Sequence, residues 1–146
     1  MNKNEIKTSR YTQFQKIALQ AYHYMRQGKL SCPNAAWTKA CKRLKINTET
    51  SDKRCPRLAF IGLVEHNCLR GLPKVSSVHT NSKNAEYARI LAGLYKNGSI
   101  LKFKTKKAKW EFFREQAANA GLNNVAENNN GQLDVVEVFY EEEWLK

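Results

Sequence analysis

Carboxylates are scarce in the first half of this chain. Residues 1–83 hold 4 acidic residues against 16 lysines and arginines, a net +12, whereas residues 84–146 hold 9 of each. The whole charge excess of the 146-residue protein therefore lies in one half. A basic half of this kind suits a polyanionic partner such as DNA or RNA, although the bland alternative is a solvated, solubilising surface. Long hydrophobic runs are also missing. No stretch approaches the roughly 20 apolar residues that span a bilayer, and Met1 to Arg10 is polar. The expectation is a cytoplasmic protein without a membrane partner, whose four cysteines (Cys32, Cys41, Cys55, Cys68) are thiols.

Recognisable catalytic signatures are absent too. There is no phosphate-cradling glycine loop, no Gly-x-Ser-x-Gly and no His-Glu-x-x-His. Three constellations hold residue types suited to chemistry. Cys55, His66, Cys68 and His79 lack the close ligand pairs of a zinc site. Cys55 stands at an expected helix start beside Lys53, Arg54 and Arg57, which favours thiolate, but no histidine on the same helix reaches it. Asp134 and Glu137, one helical turn apart, have the spacing to share a divalent ion, yet no lysine or histidine partner lies near them in sequence. No cofactor is expected, and enzymatic activity is a minority reading.

What is present is an internal echo. Phe14, Ile17, Ala21 and Tyr22 recur as Tyr87, Ile90, Leu94 and Tyr95, and the same displacement carries Trp37 to Trp110. With three residues inserted, Phe60, Leu63, Val64, Glu65 and Leu69 fall on Val136, Phe139, Tyr140, Glu141 and Leu145. A repeat of this period implies units that bury their apolar faces on each other. The expected fold is mainly α: two pseudo-repeated three-helix, helix-turn-helix-like units, about 11–73 and 84–146, packed into one domain over 1–146. Apolar residues make up 42 %, enough for a core.

Helical spacing is clear in Phe14 to Met25, with Gly28 as the stop. Pro33 suits the first turn of a second helix with Trp37, Ala40, Cys41 and Leu44 as its stripe. Asn47 to Ser51 reads as a polar loop. Pro56 opens a third helix through Glu65, apolar on all sides and so buried on most faces. Gly62 inside it suggests close approach of a neighbour, and Asn67 a left-handed cap. Asn81 or Ser82 would cap a fourth helix, with Tyr87, Ile90, Leu91, Leu94 and Tyr95 inward. Ile100 to Phe103 reads as a short strand or extended linker. Thr105 would cap a fifth helix with Trp110, Phe113, Ala117 and Ala120 as its stripe. Residues 133–140 have strand propensity and helical spacing alike; the echo of the Phe60 segment favours helix. Trp37 and Trp110 are expected half-buried.

Cys55-Pro56-x-x-Ala59-Phe60-x-Gly62-Leu63-x-Glu65, followed by Gly71-Leu72-Pro73, resembles the core motif of an uncharacterised bacterial family of small proteins. Ala36-Trp37, Asn84-x-x-Tyr87-Ala88 and Gln132-x-Asp134-Val135-Val136 extend the resemblance over most of the chain. Leu58, Ile61, Asn67-Cys68 and the run Glu141 to Glu143 depart from it. The resemblance implies a fold and no catalytic residues.

The functional expectation is a non-catalytic module whose basic half contacts nucleic-acid phosphates. Its candidate residues are Lys39, Lys42, Arg43 and Lys45 on the second helix and its exit, Lys53, Arg54 and Arg57 at the start of the third, and Arg70 and Lys74 beyond it. The run Lys102, Lys104, Lys106, Lys107 and Lys109 would extend that surface. Base-specific reading is not expected, because the third helix offers little polar face. The alternative is a protein-interaction or assembly factor without nucleic acid, by self-association or through Tyr11, Tyr24 and Trp144 if these are exposed.

Overall fold

The computed structural model describes residues 10–75 and 82–146. The lead-in before Arg10, the connector from Ser76 to Thr80, His79 within it, and the candidate cap Asn81 lie outside the described residues. The protein is a mainly helical single domain. Its elements are α1 (Gln13–Arg26), α2 (Pro33–Arg43), α3 (Thr48–Ser51), α4 (Arg54–Glu65), α5 (Lys83–Lys96), a 3-10 turn (Ser99–Lys102), α6 (Lys106–Asn119) and α7 (Gln132–Glu141).

Helix α4 packs on α5 and α7, which also pack on each other. Helices α1 and α2 pair on one side of this central trio, and α6 lies against α5 on the other. Local chemistry sets most boundaries. Thr12 and Gln15 close a reciprocal capping box on α1. Ser82 and Thr105 accept N–H bonds from Ala85 and Ala108 and so start α5 and α6. Gly28, Gly98 and Gly121 adopt the left-handed conformation that ends α1, α5 and α6.

The two most apolar helices are central. In α4 every residue from Leu58 to Glu65 is buried, and in α7 all from Gln132 to Phe139 except Glu137. The ambiguous segment 133–140 is thus helix: with burial on nearly every side, only an α-helix satisfies its backbone internally without a partner strand. Gly62 marks a close approach of α4 to the start of α5. A Cβ there would meet Ala85 Cα at 2.5 Å.

Both central helices end alike. Asn67 and Glu143 take positive φ, and the N–H groups of Cys68 and Trp144 bond back to Leu63 and Phe139. The segments that follow meet in an antiparallel bridge between Leu69 and Leu145. Arg70 N–H donates to Trp144 C=O at 2.8 Å, and Lys146 N–H to Cys68 C=O at 2.7 Å. Phe60 and Phe139 stack at the centre, 6.1 Å between rings.

Several sequence expectations are corrected. Asn47 to Ser51 is not a loop: Asn47 accepts from Thr50 N–H and caps the single turn of α3. Helix α4 begins at Arg54, so Pro56 occupies its third position. Ser99–Lys102 is a 3-10 turn rather than a strand, with Ile100 buried under it. Ala120 is exposed, because it caps α6 instead of continuing its stripe. Trp37 and Trp110 are fully rather than half-buried, at 1 % and 2 % exposure. Trp37 packs on Phe60, whereas Trp110 packs on Tyr87 and Phe113.

Candidate nucleic-acid interface

Helix α2 presents Ala35, Thr38, Lys39, Lys42 and Arg43 to solvent because Ala36, Trp37, Ala40 and Cys41 face inward. The chain leaves α2 through Lys45, which is exposed at φ 56°. After the turn of α3 it delivers Lys53 and Arg54, both exposed, to the start of α4. Lys39 covers the ring of Tyr24, with Nζ 4.7 Å from its centroid. Arg57 is half-buried and donates to Asn34 Oδ1 at 3.3 Å, tying α4 to α2. Among the described residues, Lys42, Arg43, Lys45, Lys53 and Arg54 have no acidic partner.

Arg70 and Lys74 do not join this group. They follow the far end of α4, a helix about 18 Å long at 1.5 Å per residue. Arg70 Nε donates to Leu145 C=O at 3.0 Å and lines a different cleft with Tyr95, Lys96 and Tyr140. The run from Lys102 to Lys109 is divided as well. Lys106 lies 2.7 Å from Asp134 Oδ1, and Lys109 2.8 Å from Glu137 Oε2. Lys102, Lys104 and Lys107 of that run have no ion pair among the described residues, and Lys102 rests over Phe103 and Phe112.

These pairs correct the reading of Asp134 and Glu137 as acids without a lysine nearby. The sequence hides the pairing because α6 and α7 are separate elements that meet only in the fold. Glu137 also accepts from the Tyr95 hydroxyl at 2.6 Å. Burial, then Glu137, push the Tyr95 phenol upward, and burial, then Glu137, raise Glu141. Two carboxylates each held by a lysine within 3 Å are poorly placed to share a metal ion. Among the described residues no group of three His, Cys, Asp or Glu is placed to hold a metal ion.

Several other side chains singled out in the sequence are held in the packing. Burial raises the thiols of Cys41 and Cys68, so neither is an activated nucleophile. His66 faces Glu86 at 3.6 Å. Tyr11 and Tyr24 are buried, and Trp144 stacks on Tyr22 at 4.5 Å, so these aromatics belong to the packing.

One arrangement was missed from sequence. The starts of α1, α4 and α7 converge on a cleft of about 420 Å³ lined by Phe14, Lys53, Arg54, Cys55 and Pro56 and, from the third element, by Asn129, Asn130, Gly131 and Asp134. A Cβ on Gly131 would come within 3.0 Å of both Phe14 and Pro56. That glycine takes φ 101°, and nothing in the local sequence marks the cleft.

Among the described residues no helix is long and apolar enough to cross a membrane. No curated protein and no solved structure matches the chain. The family comparison matches residues 11–146, and by it the chain belongs to a family of unknown function (DUF6979).

Proposed function

We propose that the protein is a non-catalytic module that binds the phosphate backbone of nucleic acid through the face formed by α2 and the start of α4. The observation that carries this reading is the grouping of five exposed cations between the end of α2 and the start of α4, without a carboxylate partner among the described residues. In the second half, Arg89, Lys106 and Lys109 each face a carboxylate. In the first, Lys42, Arg43, Lys45, Lys53 and Arg54 are exposed and have none among the described residues. Unopposed lysine and arginine near a helix start suit phosphate oxygens. Helix α4 is no groove reader, because its residues from Leu58 onward are buried. Backbone contact without base-pair readout follows. The two halves are read as an internal repeat, supported by the matching ends of α4 and α7, and a cytoplasmic setting agrees with four free thiols.

The test is fluorescence anisotropy with mixed-sequence DNA and RNA at two salt concentrations. Binding is expected to weaken steeply with salt, with a log–log slope of about −0.9 per neutralised phosphate on duplex. The combined variant Lys42→Glu, Arg43→Glu, Lys53→Glu, Arg54→Glu should lose binding with its helical signal intact, while Lys104→Glu, Lys107→Glu should retain most of it. Absence of binding at low salt would overturn the reading and leave a protein partner or self-association as the function to pursue.

A further inference from the structure

The cleft at the starts of α1, α4 and α7 combines groups that a plain anion site would not contain. On one side stand Lys53 and Arg54, with the first turn of α4 carrying no side-chain cap. That end of α4 favours a negative charge. On another side lies Asp134, buried to 8 % exposure yet lining the cleft. Its one cationic partner, Lys106, contacts Oδ1. Asn129 lines the same cleft: its Oδ1 accepts from Gly131 and Leu133 N–H, both at 3.1 Å, and among the described residues its NH2 meets no acceptor. Phe14 and Pro56 supply apolar walls.

A bare phosphate meets a carboxylate here, and a cation meets Lys53 and Arg54. A ligand that satisfies both sides carries an anion at one end and ring N–H donors on a flat apolar body at the other. A volume of about 420 Å³ falls within the usual range for small-molecule pockets of roughly 300–1,000 Å³.

We infer that this cleft receives one unpaired base together with its phosphate from a single-stranded nucleic acid. The phosphate lies at the start of α4 against Lys53 and Arg54, the ring packs on Phe14 and Pro56, and the base edge meets Asp134 and Asn129. This deepens the phosphate-binding proposal and rests on it. A base held in a duplex stack does not reach such a cleft, so single strands are favoured over duplex.

The experiment compares an eight-nucleotide mixed-sequence single strand with the same backbone lacking its bases, both fluorescein-labelled, by anisotropy. The normal strand should bind about tenfold more tightly, the scale of one base stacked on an aromatic ring. Phe14→Leu should shrink that difference, with melting temperature as the check on folding. The variant Lys42→Glu, Arg43→Glu should weaken both strands equally. Equal affinity for the two strands would overturn the pocket and leave the phosphate reading standing. Failure of both strands to bind would overturn the two together.

Discussion

At the scale of single residues, Gly62 is where the core tolerates no addition. Alanine is a better helix former by about 1 kcal/mol, yet its Cβ would lie 2.5 Å from the Ala85 backbone. Backbone cannot rotate aside, so overpacking should win: Gly62→Ala is expected to destabilise by about 1–3 kcal/mol, read by urea denaturation. Close approach at this glycine was legible from sequence, because an apolar helix has few other reasons to hold one; the identity of the neighbour was not. Tyr11 makes a second residue-scale prediction. Burial, then its hydrogen bond to Glu142, push its phenol up to about 12. A raised acid favours the neutral form in the folded state. Its stabilising share is therefore whole below the unfolded value of about 10 and is lost as pH rises toward 12. Thermal scans should show that alkaline loss in the wild type and a smaller one in Tyr11→Phe.

Among the helices longer than a single turn, α6 is the least embedded, with only Trp110, Phe113 and Ala117 buried. Its docking on α7 depends on Lys106–Asp134 and Lys109–Glu137. Lys109 and Glu137 are each under 20 % exposed at the side chain (17 % and 16 %), so removing one partner strands a charge. Lys109→Met should cost about 2 kcal/mol, and adding Glu137→Gln should recover part of it. Lys107→Met, one turn face away and exposed, should stay within about 0.5 kcal/mol. Chemical denaturation of the four proteins decides this. Helix α6 itself was readable from Thr105 and its aromatic spacing. Its partner was not, since ion pairs between distant segments leave no local pattern. The same holds for α3 and the 3-10 turn. Each is a single turn, too short for periodicity to show, and was read as loop or strand from polarity or β-branching alone. The central helices were legible because burial on all sides writes itself as an unbroken apolar run.

For the whole molecule, the question is whether the basic and neutral halves behave as one body. Helix α4 of the first half packs on α5 and α7 of the second, and Phe60 stacks on Phe139 across that seam. A shared core predicts one cooperative transition. Trp37 and Trp110 report from opposite halves. Trp37 Nε1 has no hydrogen-bond partner among the described residues, so Trp37→Phe loses little but volume. Trp110→Phe also loses the bond to Ala126 C=O at 3.1 Å, worth about 1 kcal/mol. In each variant, together with Trp144→Phe, fluorescence of the remaining tryptophan should change at the same denaturant concentration as circular dichroism. Two separate midpoints would show halves that unfold independently. The candidate interface was partly legible at this scale: charge asymmetry located it to the first half. Helix α4's length then split it, parting Arg70 and Lys74 from the rest. The cleft beside Lys53 and Arg54 was not legible at all, because three helix starts distant in sequence compose it.

The bridge between Leu69 and Leu145 has a kinetic meaning. Its two hydrogen bonds lie on either side of a single residue pair, and neither strand extends far enough to hold one bond when the other has parted. The amides of Arg70 and Lys146 are thus expected to exchange with deuterium in concert, as a single latch. Because the latch joins the ends of the two central helices, that exchange reports fraying at their shared end, while Phe60 and Phe139 still hold α4 against α7.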